Sequence, residues 1–209
     1  MTQFFQIHSE NPQPHLLRQV ATILRHGGVI VYPTDSGYAL GCQLGDKEAV
    51  ERIRRIRELD EKHHFTLVCR DLSDISTYAR LDTATYRIIK TLTPGPYTFL
   101  LKATNEVPRR LLHPKRRTIG IRIPDNVIAL ALLDVLEVPI MSTTLILPGQ
   151  EVPLIEPEVI MDVLGNRIEL VIGGGYCGLE QTTVVDLSDE APRIVRRGKG
   201  DPSPFLANS

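Results

Sequence analysis

The sequence predicts an α/β domain built on a mixed sheet. Three observations carry that reading. Helix-period stripes alternate along the chain with short β-branched runs, turn residues punctuate them, and from residue 183 to 196 strands follow one another without a helix between. No linker of convincing length divides the 209 residues, so one domain is expected. The expected boundaries are an N-terminal extension over 1–13, the domain over 14–200 and a flexible tail over 201–209.

From Pro14, residues Leu16, Leu17, Val20, Ile23 and Leu24 form an amphipathic stripe that Gly27 and Gly28 stop. Val29 to Tyr32 is a continuous apolar run, the pattern of a strand buried on both faces. Pro33-Thr34-Asp35-Ser36-Gly37 supplies a turn, and Tyr38 to Cys42 resumes a strand. Asp46 caps a helix with Val50, Ile53 and Ile56 on one side and Arg52, Arg54, Arg55 and Arg57 on the rest; the polar stretch Glu58 to His64 ends it. A strand over 65–69 and helices over 71–78 and 82–92 follow. Pro94-Gly95-Pro96 then forces a turn before a strand over 97–103. Strands are expected over 119–123 and 140–143, flanking a helix that Asn126 caps; Pro157 opens a last helix to about Leu164, and strands near 170–172, 183–186 and 193–196 complete the chain.

Composition narrows the function. Lys plus Arg total 24 against 25 Asp plus Glu, a formal charge of -1, so the protein is not globally basic. An apolar share of 42% supports a folded core. No uncharged apolar run reaches the roughly 18 residues a bilayer span needs, and the first residues lack an export signal, which leads us to expect a cytoplasmic protein. Cys42, Cys69 and Cys177 are too few and too scattered for a disulfide framework or a cysteine zinc site, and no histidines take metal-ligand spacing.

Gly173 to Gly178 satisfies G-x-G-x-x-G, but the residues after it lead into a strand, whereas a dinucleotide fingerprint needs a helix to open there. No Walker-type phosphate loop and no G-x-S-x-G elbow occur. The cations are more informative. Arg109, Arg110, Lys115, Arg116, Arg117 and Arg122 fall in one stretch without a carboxylate, and Arg193, Arg196, Arg197 and Lys199 form a second group. Such segregation implies a face or cleft that concentrates phosphates. With aromatics at 5% and no Trp, base stacking is a poor grip, so any RNA partner would be a double-stranded RNA or tRNA held by its phosphates on Arg109, Arg110, Lys115, Arg116 and Arg117.

Four segments taken together, Tyr32-Pro-Thr-Asp-Ser-Gly-Tyr-Ala-Leu-Gly-Cys42, Pro94-Gly-Pro-Tyr-Thr-Phe99, Gly120-Ile-Arg-Ile-Pro124 and Pro139-Ile-Met-Ser-Thr-Thr144, resemble the YrdC-like family of threonylcarbamoyl-AMP synthases, and within it the YciO branch. The likeness runs from about residue 14 to 200. It implies a twisted, open sheet around a concave basic pocket that takes ATP with Mg²⁺, L-threonine and bicarbonate. It places Thr34, Arg57, His63, Thr118, Arg122, Ser142, Thr144 and Arg196 at the nucleotide and substrate site. Residue chemistry suits several of these positions: Thr34 can donate and accept, and Arg122 and Arg196 offer forked donors to carboxylate or phosphate oxygens. No protein nucleophile is required, because positioning and charge neutralisation carry such a reaction.

The sequence departs from the family pattern at defined places. The family's K-x-R pair falls on Arg57-Glu58-Leu59, the lysine before the next strand on His63, and its S-x-N on Thr144-Leu145-Ile146. Replacing a charged partner costs about 2 kcal/mol and a neutral one about 1, which together lower binding or rate on the order of a hundredfold. The expected function is therefore a nucleotide-binding protein with weakened or altered synthase activity, the alternative being a non-catalytic RNA-binding protein.

Overall fold

A computed structural model describes residues 1–60, 63, 65–189 and 191–206. In chain order the elements are β1 (Gln3–Gln6), α1 (Pro14–Arg25), β2 (Ile30–Thr34), β3 (Gly37–Gln43), α2 (Lys47–Arg57), β4 (Thr66–Val68), α3 (Leu72–Tyr78), α4 (Thr83–Leu92) and β5 (Tyr97–Lys102). Then come β6 (Thr118–Arg122), α5 (Val127–Leu136), β7 (Ile140–Thr144), α6 (Pro157–Leu164), β8 (Leu170–Gly173), β9 (Thr183–Asp186) and β10 (Arg193–Arg196). Short 3₁₀ turns occur at Arg109–Leu111, Gly165–Arg167 and Ser203–Phe205.

Four helices begin where a side-chain cap predicts. Asp46, Asp71, Asp82 and Asn126 accept from the amides of Ala49, Asp74, Thr85 and Ala129 at 2.9, 3.0, 2.7 and 3.0 Å. Each such cap stabilises its helix by about 1 kcal/mol. The strands form one mixed sheet in the order β1-β8-β2-β3-β7-β4-β6-β5-β9-β10. Neighbours run parallel at β1/β8, β2/β8, β4/β6 and β5/β9 and antiparallel elsewhere.

The sheet is covered unequally, and this makes the concavity. On one face α2, α3, α4 and α6 pack over the strands in a large apolar cluster that includes Ile53, Ile75, Ile89, Ile160, Phe99, Ile119 and Ile121. On the other, α1 and α5 bury Leu17, Val20, Leu24, Ile128, Leu132 and Leu136 against β2, β3, β7, β8 and Val68 of β4. No residue of β5, β6 or β9 belongs to that second cluster, so half of this face carries no helix. The period-2 alternation of β6 explains which side chains it exposes there: Ile119 and Ile121 enter the opposite core, and Thr118, Gly120 and Arg122 face the uncovered side.

Two segments differ from the expectation drawn from sequence. Residues 1–13, expected to be an extension, contribute β1, which pairs with β8 through Gln3 to Gln6; a four-residue edge strand without alternation has no period to read. Within 201–209, expected to be a flexible tail, Phe205 is buried against Tyr97 and Phe99, with ring centroids 6.3 and 6.4 Å away, and Tyr97 donates its hydroxyl to the Asp201 carbonyl at 3.2 Å. One aromatic anchor fixes this segment, and a single residue creates no periodicity. Residues 207–209 of that tail lie outside the described residues. Among the described residues no helix is long and apolar enough to cross a membrane.

Candidate functional site

A cavity of about 330 Å³ occupies the uncovered half of the sheet face. Its floor is the sheet itself, with Thr66 and Val68 of β4, Thr98 and Leu100 of β5 and Val184 of β9 at alternate positions. Gly120 keeps that floor open at its centre. A Cβ there would stand 3.0 Å from Thr66 Oγ1 and 3.3 Å from Thr98 Cγ2, so any side chain would fill the space between the two threonines.

Two arginines supply positive charge. Arg122 ends β6, is buried, donates from Nη1 to Ser36 Oγ at 2.9 Å, and forms an ion pair through Nη2 with Asp35. Arg196 ends β10 and is anchored by Nη2 to the Thr182 carbonyl at 3.0 Å and by Nη1 to Gln181 Oε1 at 2.5 Å. Burial, reinforced by the like charge of Arg122, lowers the Arg196 pKa from its ordinary value. Both guanidinium groups line the cavity, so an anion held there would be attracted by each.

The tight turn between β2 and β3 brings Thr34, Ser36 and Gly37 to the rim. Thr34 donates to the Gly37 carbonyl at 2.6 Å and accepts from the Ser36 amide at 3.2 Å, and Gly37 takes φ +118°, a conformation that suits glycine. Lys199 reaches the same turn, donating to the Asp35 carbonyl at 2.6 Å. Behind the rim, Tyr32 donates to Ser142 Oγ at 2.8 Å and Ser142 in turn donates to the Leu40 carbonyl at 3.0 Å. Burial pushes the Tyr32 phenol up to about 12, so it stays a donor at neutral pH. Tyr38 is also pushed up by burial, and Cys177 is pushed up to about 11 by the same cause. None of these three groups is thereby activated as a nucleophile. The cavity offers charge and hydrogen bonds, which is chemistry by orientation and neutralisation.

Of the residues expected at the site, Thr34, His63, Arg122, Ser142, Thr144 and Arg196 line this one cavity. His63 lies with Nε2 at 3.2 Å from Thr143 Oγ1, at the end of β7. Arg57 and Thr118 are not brought into the lining. Arg57 donates to the Ile146 carbonyl, its Nε is buried without a partner among the described residues, and burial lowers its pKa; it ties the end of α2 to the segment after β7. Thr118 faces the same side of β6 as Arg122 but sits at the far end of the strand, opposite Lys102. Leu59 turns away from the cavity, packs on the core and lines a separate groove.

Of the cations expected to meet RNA, Arg116 is engaged by Asp186 at 2.6 Å, by Asp189 at 2.5 Å and by Ser188 at 3.2 Å, and Arg110 donates to the Gly45 carbonyl. Arg109, Lys115 and Arg117 are exposed. The stretch that carries no carboxylate in sequence is thus partly neutralised by residues some seventy positions downstream.

Sequence reasoning did not select Asp35, Ser36, Thr66, Thr98 or Thr182 for the site. For Thr66 and Thr98 the available signal was a threonine on an otherwise apolar strand; Asp35, Ser36 and Thr182 lie outside the strands and carry no such signal. Gly174 of the glycine-rich loop packs against Pro33 and Ile128, where a Cβ would stand 2.6 Å from each, and the loop leads directly to β9. Gly174 serves close packing at that point.

Magnesium was expected with ATP. Among the described residues no group of three or more His, Cys, Asp or Glu side chains could hold a metal. Beside the cavity, Asp35 commits Oδ1 to Arg122 and buries Oδ2 without a partner among the described residues. Among the described residues this set does not fit a protein-held Mg²⁺, which prefers several oxygen ligands in an octahedron.

Comparison with known proteins agrees with this architecture. The uncharacterized protein YciO of Escherichia coli K12 is 57% identical over 206 residues, covering 99% of this chain and all of its own length. A threonylcarbamoyl-AMP synthase of Halorhodospira halophila is 28% identical over 174 residues, covering 83% of this chain and 90% of that one. Among solved structures, E. coli YciO superposes with a TM-score of 0.96 over 99% of this chain and all of that one, at 57% identity. P. abyssi Sua5 complexed with L-threonine superposes with a TM-score of 0.86, at 26% identity, over 94% of this chain and 58% of that one. The family model for Sua5, YciO and YrdC, described as telomere recombination, matches residues 22–198. With its mixed sheet, flanking helices and cavity on the uncovered face, the chain belongs to the Sua5/YciO/YrdC family.

Proposed function

We propose that the cavity binds ATP and L-threonine and supports a weakened or altered threonylcarbamoyl-AMP synthase activity. In that reaction bicarbonate and the threonine amine form a carbamate with loss of water. A carbamate oxygen then attacks the α-phosphorus of ATP, and the bond to the β-phosphate oxygen breaks to release pyrophosphate. The adenylate would serve tRNA modification.

The observation that carries the reading is the pair Arg122 and Arg196, two guanidinium groups facing one hydroxyl-lined cavity. They suit the carboxylate of an amino acid and the phosphates of a nucleotide, and the TM-score of 0.86 to a relative complexed with L-threonine supports the amino acid. Weakening is supported by three placements: Arg57 spends its donor on a main-chain carbonyl, Leu59 faces elsewhere, and an imidazole stands at His63 where a lysine would carry a full charge. RNA on the cationic stretch is less well supported, because Arg116 is held by two carboxylates and Arg122 lies inside the cavity.

The test is pyrophosphate release from ATP with threonine and bicarbonate, together with calorimetry of ATP and threonine. A slow release that depends on all three substrates and disappears in Arg122→Gln is expected. No release above the Arg122→Gln background, with no heat from either ligand, overturns the proposal.

A further inference from the structure

A second concavity lies apart from the cavity, between α2 and the segment that follows β5. It is a groove of about 640 Å³ lined by Glu51, Arg54, Arg55 and Leu59 on one side and by Arg109, Arg110, Leu112 and Pro114 on the other. Two runs of arginine that sequence places more than fifty positions apart thus face one space. Two of the four guanidinium groups are fixed. Arg54 lies over the Phe65 ring at 4.8 Å, donates to the Asp60 carbonyl at 3.0 Å and approaches Glu51 at 3.5 Å, and Arg110 donates to the Gly45 carbonyl. The other two, Arg55 and Arg109, have neither a hydrogen-bond nor an ion-pair partner among the described residues. Among the described residues, four cations against one carboxylate, Glu51, give the groove a positive lining, while Leu59 and Pro114, with the edge of the buried Leu112, add aliphatic surface.

We propose that this groove docks an acidic peptide segment of a partner protein, one that alternates carboxylates with aliphatic side chains. Charge complementarity selects an anion, and guanidinium forks match carboxylates in a planar, two-bond geometry. The aliphatic residues decide between anions. A nucleic acid would present phosphates and bases, and among the described residues no aromatic side chain lines the groove to stack a base. A peptide places its acidic side chains on Arg55 and Arg109 while its apolar side chains cover Leu59 and Pro114. This is the division of labour found where a short segment lies in a groove.

The test is selection of displayed peptides about twelve residues long on the full chain near physiological salt, a length suited to groove-bound segments. Enriched peptides should alternate Asp or Glu with Leu, Ile or Val. Synthetic copies should bind by fluorescence anisotropy and weaken at least about tenfold with Arg55→Glu/Arg109→Glu, or when the peptide's Glu residues become Gln. Both substitutions are at exposed positions, and unchanged thermal unfolding verifies the fold; should the charge reversal melt early, Arg55→Ala/Arg109→Ala decides instead. Three results would overturn the proposal: no acidic class enriched, acidic peptides binding the variants as well as the native chain, or an RNA duplex of about twenty base pairs displacing the peptide and binding more tightly through the same arginines. The last result would assign the groove to nucleic acid.

Discussion

Arg122 and Asp35 form an ion pair beside the cavity, with side chains only 9% and 7% exposed, and the second carboxylate oxygen of Asp35 is buried without a partner among the described residues. An incoming anion must share Arg122 with a carboxylate already there. Asp35→Asn removes the competing charge while keeping the shape of the side chain. We expect ATP to bind up to about tenfold more tightly to this variant, with a steeper dependence on salt. Because a buried charge loses its partner, the ligand-free fold should lose about 3 kcal/mol in urea unfolding. Weaker ATP binding in the calorimeter would show instead that Asp35 serves to hold Arg122 in place.

Position 63 is where charge can be added to the cavity wall without moving the sheet, since His63 already lines it. His63→Lys should raise pyrophosphate release about tenfold, the effect of one charged hydrogen bond of about 1.5 kcal/mol. Leu59→Arg should leave the rate within about twofold, because that side chain faces the α2 groove. A rate gain from Leu59→Arg and none from His63→Lys would reverse this assignment of the two walls.

The Tyr32 phenol, pushed up to about 12 by burial, makes a prediction about alkaline stability. A group whose folded pKa lies above its unfolded value of about 10 contributes fully below pH 10, and that contribution is lost as pH rises through 12. Melting temperatures followed from neutral pH upward should fall over that window in the native chain. Tyr32→Phe should be less stable at neutral pH by about 1 kcal/mol, from the lost bond to Ser142, and its alkaline limb should be flatter. Parallel alkaline limbs in the two proteins would refute the link.

Asp186 governs the acid side. Burial alone would raise its pKa, but hydrogen bonds from the Ser188 hydroxyl and amide, with Arg193 and Arg116, outweigh that and bring it below the ordinary carboxylate value. A lowered folded pKa gives stability that is present above the unfolded value of about 4 and lost as pH falls through the folded value. Asp186→Asn should therefore be less stable than the native chain by about 2 kcal/mol at pH 7, and the difference should shrink as pH drops below about 4. A gap that stays constant down to the acid transition in circular dichroism would contradict it.

The fold was legible in sequence where period and punctuation coincide. Asp46, Asp71, Asp82 and Asn126 marked helix starts, and Gly27-Gly28 marked the end of α1, because capping is a local interaction. β1 and the docked Phe205 were not legible, since each depends on a distant partner rather than on its own pattern. The same division holds at the site. Arg122 and Arg196 were selected through the family resemblance, which their forked donors at strand ends suit, whereas the engagement of Arg116 by Asp186 and Asp189, and of Arg57 by the Ile146 carbonyl, arises from long-range packing that residue spacing does not encode.

Arg122 and Arg196 stand on strands of very different security. β6 lies between β4 and β5 inside the sheet, while β10 is the outermost strand, held on one side only by β9 with an irregularity between Ile194 and Arg196. An anion bridging the two arginines would act as a clasp from the interior to the border. Amide hydrogens of residues 193–196 should then exchange more slowly in the liganded protein, so that an outer margin of the sheet reports the occupancy of its centre.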